Sequence, residues 1–182
     1  IDNYGGAKEA VSHLIKLGHR QIGFIGLFCV GQAVNESSVQ RFQGYKAALE
    51  EVGCPFSEEL VRTPDERTGT PVSVGYETGM ELLSSKRRPT AIYTINDNLA
   101  CGVIRAALEL GLRVPKDLEV IGNDNTVVST LFIPTLSSVA PPLKQAGEVA
   151  AKLLIDKLES KVHNRPRVMT LPCELIIRES SR

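Results

Sequence analysis

The chain alternates short, uninterrupted apolar runs with longer segments whose apolar residues recur every three to four positions. The run at 21–26 is followed by an apolar stripe over 37–52, and the run at 89–95 by a stripe over 97–110. A short apolar run between turn residues is typical of a strand buried on both faces, and the longer period is typical of a helix. The alternation predicts an α/β fold, a mostly parallel sheet flanked by helices in three layers.

The rest of the chain follows the same pattern. Further strands are predicted at 59–62, 117–122 and 135–139, with an extended segment at 168–177, and further helices at 5–17, 70–84 and 142–160. Thr70 and Pro71 match the N-cap and first position of a helix. Gly75 and Gly79 inside that helix lower its intrinsic stability, which is tolerable where a helix lies close to a sheet.

Composition limits both the number of domains and the kind of partner. A chain of 182 residues allows one ordinary domain, or one domain with pieces of another. Lys and Arg number 21 and so do Asp and Glu, so the surface has no global positive field and the chain alone should bind nucleic acid poorly. The basic run at 86–88 is interpreted as a solvated helix end.

The cysteines and histidines predict neither disulfides nor a metal site. The cysteines are far apart and lie in or beside apolar runs, which favours buried free thiols in a reducing compartment; they are Cys29, Cys54, Cys101 and Cys173. His13, His19 and His163 show no zinc-binding spacing with them. No apolar stretch is long enough to span a membrane. A start at Ile1, without Met, suggests a piece of a longer cytoplasmic protein.

Two polar triplets follow two predicted strands directly. They are 96–98 (Asn-Asp-Asn) and 123–125 (Asn-Asp-Asn), and Arg41 with Ser37 lies early in the helix after the first strand. Ligands of open parallel sheets bind beyond the carboxyl ends of the strands. Carboxylate, amide, hydroxyl and guanidinium groups there suit a polyhydroxylated or anionic small molecule.

A purely structural interpretation of these residues stays open. Asp97 would cap its helix, Asn125 would form a turn, and Arg41 would be a solvated helix charge. The aromatic residues would belong to the core rather than to a stacking platform; they are Phe42, Tyr45 and Tyr93. A nucleophile elbow, a P-loop and a dinucleotide fingerprint are missing, although Asp124 could serve as a base in an α/β enzyme.

Several stretches together resemble the effector-binding core of lac-repressor/galactose-repressor family transcription regulators. They are 2–6, 13–26, the Arg-x-x-Gly-aromatic signature at 41–45, 89–97, the most specific stretch at 111–125, and 171–180. The resemblance covers essentially the whole chain. It implies two α/β subdomains similar to periplasmic sugar-binding proteins, behind a DNA-binding headpiece that this chain lacks together with most of the first subdomain.

The resemblance also implies a division of the chain. Residues 19–140 and 168–182 would form the second subdomain. Residues 1–18 and 141–167 would be remnants of the first, so their helices would be partly orphaned. The implied effector contacts are Arg41, Asn96 and Asp124, with Ser37, Asn35 and Asn98 around them. Two departures from the family pattern are Asn123 in place of an aromatic residue and Gly5 in place of an acid.

The resulting hypothesis is the effector-binding and dimerisation domain of a bacterial-type transcriptional repressor that responds to a sugar or nucleoside-like metabolite. It is expected to be cytoplasmic and non-enzymatic, to need no cofactor, and to reach operator DNA only through the missing headpiece. A homodimer is expected, with helix 97–110 as the leading candidate for the contact, because its apolar residues cover the sheet on one side while Cys101, Ile104 and Leu108 spread onto another. The alternative is that these three residues only widen the core face. A periplasmic-type sugar- or solute-binding protein is the alternative.

Overall fold

The computed structural model describes residues 1–26, 29–30, 33–64, 71–159 and 168–182. In chain order its helices are α1 (Asn3–Lys16), α2 (Glu36–Glu51), α3 (Pro71–Leu83), α4 (Asp97–Glu109), α5 (Val128–Leu131) and α6 (Leu143–Glu159). Its strands are β1 (Ile22–Ile25), β2 (Cys29–Val30), β3 (Ala33–Val34), β4 (Val61–Arg62), β5 (Ala91–Thr94), β6 (Glu119–Asn123), β7 (Ser137–Ala140) and β8 (Glu174–Ile176). A 3₁₀ turn at Glu58–Leu60 precedes β4.

The main sheet has the strand order β4-β1-β5-β6-β7-β8. The first five strands of that order run parallel, and β8 pairs with β7 in the antiparallel sense. Helices α1 and α2 pack against each other, and so do α3 and α4. With right-handed crossovers the two pairs cover opposite faces of the sheet. The predicted α/β fold with a mostly parallel, helix-flanked sheet is therefore confirmed.

An aromatic cluster fills the layer between the sheet and α2. The rings of Phe24 and Tyr45 have centroids 5.2 Å apart, and those of Phe24 and Tyr93 are 6.0 Å apart. Tyr45 is fully buried, and its hydroxyl donates a 2.9 Å hydrogen bond to the Ile22 carbonyl oxygen. Because buried hydroxyls need a partner, this bond fixes the ring against β1. The predicted core role of Tyr45 and Tyr93 is confirmed, and Phe42 packs partly buried beside them.

Helix α1 is an integral part of this body. Asp2 caps it by accepting a 2.8 Å hydrogen bond from the Gly5 N–H. Its apolar stripe lies against α2 and the sheet and is completely buried; the stripe contains Ala7, Ala10, Val11 and Leu14. Each such Val or Leu contributes about 1.5–3 kcal/mol of transfer free energy. The expectation that α1 is partly orphaned does not hold for its apolar face, because α2 and three strands cover it.

Helices α3 and α4 pack closely through glycines on both helices. A Cβ atom on Gly75 would lie 2.3 Å from the Leu99 carbonyl oxygen, and one on Gly102 would lie 2.3 Å from the Val72 carbonyl oxygen. Gly79 likewise faces α4. The glycines of α3 thus allow close contact with α4, and the expectation that they face the sheet is wrong. The expected N-cap residue Thr70 lies outside the described residues.

Helix α4 is almost enclosed by its own chain. Cys101 and Ile104 are completely or nearly completely buried, and only Leu108 of the three residues expected at a dimer contact is exposed. The hypothesis that Cys101 and Ile104 face a second subunit is wrong, because α3 and the sheet already cover them. Burial raises the pKa of the Cys101 thiol to about 12, which makes it an inert core residue.

Helix α6 contrasts with the other long helices, because none of its residues is buried. Its exposed apolar side chains include Leu143, Leu154, Ile155 and Leu158.

Among the remaining cysteines, Cys54 is a buried free thiol, Cys173 is partly exposed, and the Cys29 side chain lies outside the described part of the chain. No helix within the described ranges is long and apolar enough to cross a membrane.

Candidate functional site at the strand carboxyl ends

The candidate site lies where the strand order reverses. The chain leaves β1 for β4 on one side and then returns to β5 on the other, so the carboxyl ends of β1 and β5 flank a topological switch point. Clefts at such points are the usual ligand sites of open α/β sheets. Helix α2 follows β1, α4 follows β5, and the turn at 124–126 follows β6.

Arg41 of α2 reaches across this edge. Its Nη1 donates a 2.8 Å hydrogen bond to the Ile95 carbonyl oxygen, and its Nη2 lies 3.2 Å from Asp124 Oδ1. The Arg41 side chain is 13% exposed and that of Asp124 is 39% exposed. The predicted convergence of Arg41 and Asp124 on one edge is confirmed, and the pair is open to solvent on the side of Asp124.

A chain of hydrogen bonds connects Asp124 to the core of the sheet. Its Oδ1 accepts a 2.8 Å bond from Asn123 Nδ2, and Asn123 Oδ1 accepts a 3.2 Å bond from the Tyr93 hydroxyl. Burial raises the pKa of Tyr93 well above its usual value, so the phenol remains a protonated donor. Asn123, a departure from the family pattern, is thus a buried amide that links the core to Asp124.

Asn96 and Asn35 are helix caps. The Asn96 side chain accepts a 2.8 Å hydrogen bond from the Leu99 N–H at the start of α4, and the Asn35 side chain accepts a 3.2 Å bond from the Ser38 N–H at the start of α2. Asp97 is therefore not the cap of α4, and that prediction is wrong. Each cap fixes one side-chain oxygen, and in the described part of the chain neither amide Nδ2 has a protein partner.

Ser37 and Asn98 lie in the first turns of α2 and α4. Ser37 is half-buried and Asn98 is exposed. Neither side chain makes a hydrogen bond to another described residue, so both have free donors and acceptors at the edge where the helices begin. Their roles in binding, like those of the other four residues, remain predictions.

A second polar cluster beside the pair did not emerge from the sequence as a site. Buried Asp97 accepts hydrogen bonds from the Thr126 N–H at 2.6 Å, from the Thr126 hydroxyl at 2.9 Å and from the Ser138 hydroxyl. Arg178 Nη2 donates a 2.7 Å bond to Asn125 Oδ1. The polar triplets at 96–98 and 123–125 contain two members of the cluster, Asp97 and Asn125. The other members lie 29 to 81 positions from Asp97 along the chain, so no local pattern could have connected them to it.

The site presents the Asp124 carboxylate to solvent beside a guanidinium group. Asp124 Oδ1 accepts hydrogen bonds from both Arg41 and Asn123, and Oδ2 has no hydrogen-bond partner among the described residues. Among the described residues there is no His, Cys, Asp and Glu group suited to hold a metal ion. The site is an open edge, and a cavity of about 450 Å³ between β4 and α3 lies apart from it, lined by residues that include Arg62 and Glu81.

The sequence profile of the periplasmic-binding-protein-like domain family matches residues 11–181. The chain belongs to this family. The match includes every element from the middle of α1 to the last strand, and therefore all the residues of the candidate site.

Curated relatives are bacterial regulators. The chain is 39% identical over 181 residues to the HTH-type transcriptional repressor PurR of Yersinia pestis bv. Antiqua (strain Antiqua), covering 99% of this chain and 50% of PurR. It is 35% identical over 181 residues to the HTH-type transcriptional regulator DegA of Bacillus subtilis (strain 168), covering 100% of this chain and 51% of DegA. The chain thus spans about half the length of the curated relatives it matches.

Solved structures point the same way. A regulatory protein of the LacI family from Chloroflexus aggregans superposes with a TM-score of 0.87 at 33% identity, over 100% of this chain and 62% of that one. A complex of the transcriptional regulator CelR with cellobiose has a TM-score of 0.85 at 32% identity, over 99% of this chain and 52% of that one. A LacI-family regulator from Enterococcus faecium with bound ribose has a TM-score of 0.84 at 29% identity, over 100% of this chain and 64% of that one. The predicted resemblance to the core of lac-repressor/galactose-repressor regulators is confirmed.

Proposed function

We propose that the chain is the effector-binding and dimerisation part of a cytoplasmic bacterial transcriptional repressor, and that its effector is a sugar or nucleoside-like metabolite. The observation that carries the proposal is the Arg41–Asp124 pair at the topological switch point of the sheet. The pair lies where open α/β sheets bind small ligands. The relatives PurR, a transcriptional repressor, and DegA, a transcriptional regulator, support this class of protein.

The chemistry of the pair suits a ligand rich in hydroxyl groups. A carboxylate accepts two hydroxyl hydrogen bonds in a bidentate geometry, and a guanidinium donates to adjacent oxygens in one plane. Asp124 is partly exposed and only its Oδ1 has a hydrogen-bond partner among the described residues, so the carboxylate retains unused hydrogen-bonding capacity. Cellobiose in one structural neighbour and ribose in another support a sugar as the ligand class.

Two other functions fit the observations less well. An α/β enzyme using Asp124 as a base receives no support from the relatives, because PurR and DegA are transcriptional regulators. A periplasmic-type solute-binding protein would share the fold. The curated relatives and LacI-family structures reported above are regulators, and they support the repressor over this alternative.

The chain supplies one wall of the proposed site. Arg41, Asn96 and Asp124 face an open edge, where each polar contact with a ligand competes with water. Small-molecule sites normally bury most of the ligand surface. We therefore expect this chain alone to bind effector weakly, and to bind operator DNA weakly because its acidic and basic residues balance.

The proposed homodimer uses a surface other than α4. The segment around α5 exposes three large apolar side chains: Val127 at 73%, Leu131 at 71% and Ile133 at 87%. A twofold axis would place this patch against its own copy and remove all three from water in both subunits. Sedimentation of the full-length protein should show a dimer that Leu131→Asp dissociates. Leu108→Asp on α4 should leave it intact, and the reverse pattern would contradict the assignment.

The binding proposal is tested by calorimetry on the full-length protein with D-ribose and cellobiose as probes. Arg41→Lys and Asp124→Asn should each weaken binding at least about tenfold, or about 1.4 kcal/mol. Arg113→Lys is the matched control, because Arg113 forms an exposed ion pair with Asp117 outside the site. Unchanged affinity in the Arg41 and Asp124 variants would exclude this site.

The one-wall expectation has its own measurement. The dissociation constant of this chain is compared with that of the full-length protein for whichever probe binds. If the two dissociation constants agree within about threefold, the binding free energies differ by less than about 0.7 kcal/mol. That result would show that the chain recognises the effector alone.

A further inference from the structure

Asp97 is a fully buried carboxylate next to the proposed effector site. It forms no hydrogen bond with Arg41 or Asp124. Its exposed fraction is 1%. Oδ2 accepts hydrogen bonds from the N–H and the hydroxyl of Thr126, at 2.6 and 2.9 Å, and Oδ1 accepts one from the Ser138 hydroxyl. Three donors on two other segments thus converge on one carboxylate. A buried charge is tolerated when such hydrogen bonds replace its hydration.

These donors belong to, or support, the turn that carries Asp124. Asp124 has φ 97° and Asn125 has φ 47°, the left-handed region that favours glycine. Holding a residue other than glycine there costs about 1–3 kcal/mol unless the surroundings impose the conformation. Asn125 N–H donates a 3.0 Å bond to Ser138 Oγ, which in turn donates to Asp97. The turn is therefore anchored to Asp97 directly through Thr126 and indirectly through Ser138.

The fold leaves room for Asp97 at this position. A Cβ atom on Gly122 would lie 2.5 Å from Asp97 Oδ1 and 3.2 Å from Asp97 Cα. Any larger residue at Gly122 would displace the carboxylate from the turn. The ionised form is also the one that matches the partners, because the Thr126 N–H and the hydroxyls of Thr126 and Ser138 all donate to it. Burial raises the pKa of Asp97, and the three donors oppose that rise.

We propose that Asp97 is a positioning residue of the effector site: its carboxylate fixes the 124–126 turn in the left-handed conformation that points Asp124 at Arg41. Asp97 does not touch the ligand. The expected effect of Asp97 on ligand affinity rests on the proposed function. The expected effect of Asp97 on the Arg41–Asp124 pair is independent of any ligand, so the two effects can be tested separately.

The ligand-free test uses NMR on Asp97→Asn, which keeps the shape of the side chain and removes the charge. The Thr126 amide proton should move upfield as its charge-assisted hydrogen bond weakens. Exchange of the Arg41 guanidinium protons should become at least about tenfold faster, while core amides of β5 and β6 stay protected. Unchanged Arg41 exchange in a folded variant would overturn the proposal.

A milder pair of variants covers the case in which Asp97→Asn does not fold. Thr126 is exposed apart from its bonds to Asp97, so Thr126→Val removes one donor with little effect on packing. Thr126→Ser restores that hydroxyl. Faster Arg41 exchange in the Val variant and wild-type exchange in the Ser variant would support positioning. Equal exchange in both would overturn it.

The binding arm uses D-ribose and cellobiose with the full-length protein. If a probe binds the wild type, Asp97→Asn and Thr126→Val should weaken it about tenfold or more, and Thr126→Ser should not. Wild-type affinity in the first two variants would overturn the positioning role and leave the proposed function standing. If neither probe binds the wild type, the sugar class fails, and the Arg41 exchange rates alone support or overturn the role of Asp97.

Discussion

Helices α4 and α6 have similar apolar stripes in the sequence, but the structure buries α4 and leaves α6 exposed. In α4, 13 residues long, nine residues are buried; in α6, 17 residues long, none is. The difference arises because α4 lies between α3 and the sheet, whereas α6 makes no comparable contact with another described element. An amphipathic pattern therefore predicts a helix and its apolar face, but not which body covers that face.

Glycines mark the same contrast. Gly102 of α4 faces the backbone of α3, where an added Cβ would lie 2.3 Å from the Val72 carbonyl oxygen. At Gly147 of α6, apart from the neighbouring residues and the backbone of α6 itself, no described atom lies within 4 Å of the place that a Cβ would occupy. The first glycine is required by close helix packing, and the second has no structural requirement in this chain. The paired substitutions below test whether this contrast holds in solution.

The largest expected effect is on the core face of α4. Leu99 is completely buried, so Leu99→Ala should lower the free energy of unfolding by about 2–5 kcal/mol through lost transfer energy and a cavity. Leu154 of α6 is 58% exposed, and Leu154→Ala should change it by less than about 0.5 kcal/mol. Urea unfolding of this chain measures both. A large loss for Leu154→Ala would mean that α6 is packed in solution and that the comparison fails.

The matched glycine substitutions should have opposite signs. Gly102→Ala should destabilise the chain by about 1–3 kcal/mol because α3 and α4 must move apart. Gly147→Ala should strengthen α6 by about 0.5–1 kcal/mol, since alanine is the better helix former and nothing obstructs it. Thermal unfolding followed by circular dichroism reports the first change, and the helical ellipticity of the native state reports the second. A neutral Gly102→Ala would refute the close packing of α3 and α4.

The sequence predicted the long elements well because their signals are local. Each predicted helix and the central strands lie within about three residues of their observed bounds, since apolar period and turn residues are read over a short window. Strands β2 and β3 and helix α5 were not predicted. They have two, two and four residues, too few for any period to show.

The candidate site was predicted only as far as topology could place it. The rule that strand carboxyl ends share an edge brought Arg41 and Asp124 together across 83 positions of sequence, and the structure confirms that contact. The same rule gave no information on hydrogen bonding. Asn96 and not Asp97 caps α4, because the Asp97 carboxylate is used by Thr126 and Ser138, which are distant in sequence.

The smallest expected effect compares one ion pair near each helix. After α4, Asp117 accepts hydrogen bonds from Arg113 at Nε (2.7 Å), Nη2 (2.9 Å) and its backbone N–H (2.9 Å). In α6, Lys144 Nζ and Glu148 Oε1 are 3.9 Å apart and both side chains are largely exposed. Exposed pairs contribute little unless their geometry is bidentate, so only the first pair should matter for stability.

The pH dependence separates the two pairs. The side-chain and backbone hydrogen bonds from Arg113 hold the pKa of Asp117 well below its ordinary value of 3.8. A carboxyl group whose pKa is lowered by folding contributes stability above that ordinary value and loses it as the pH falls toward the lowered pKa. Asp117→Asn should therefore lower the Tm at pH 7, and the gap to wild type should narrow between pH 5 and pH 3. Glu148→Gln should leave the Tm unchanged across this range. A gap for Asp117→Asn that stays constant down to pH 3 would show that the charge of Asp117 is not what stabilises the loop between α4 and β6.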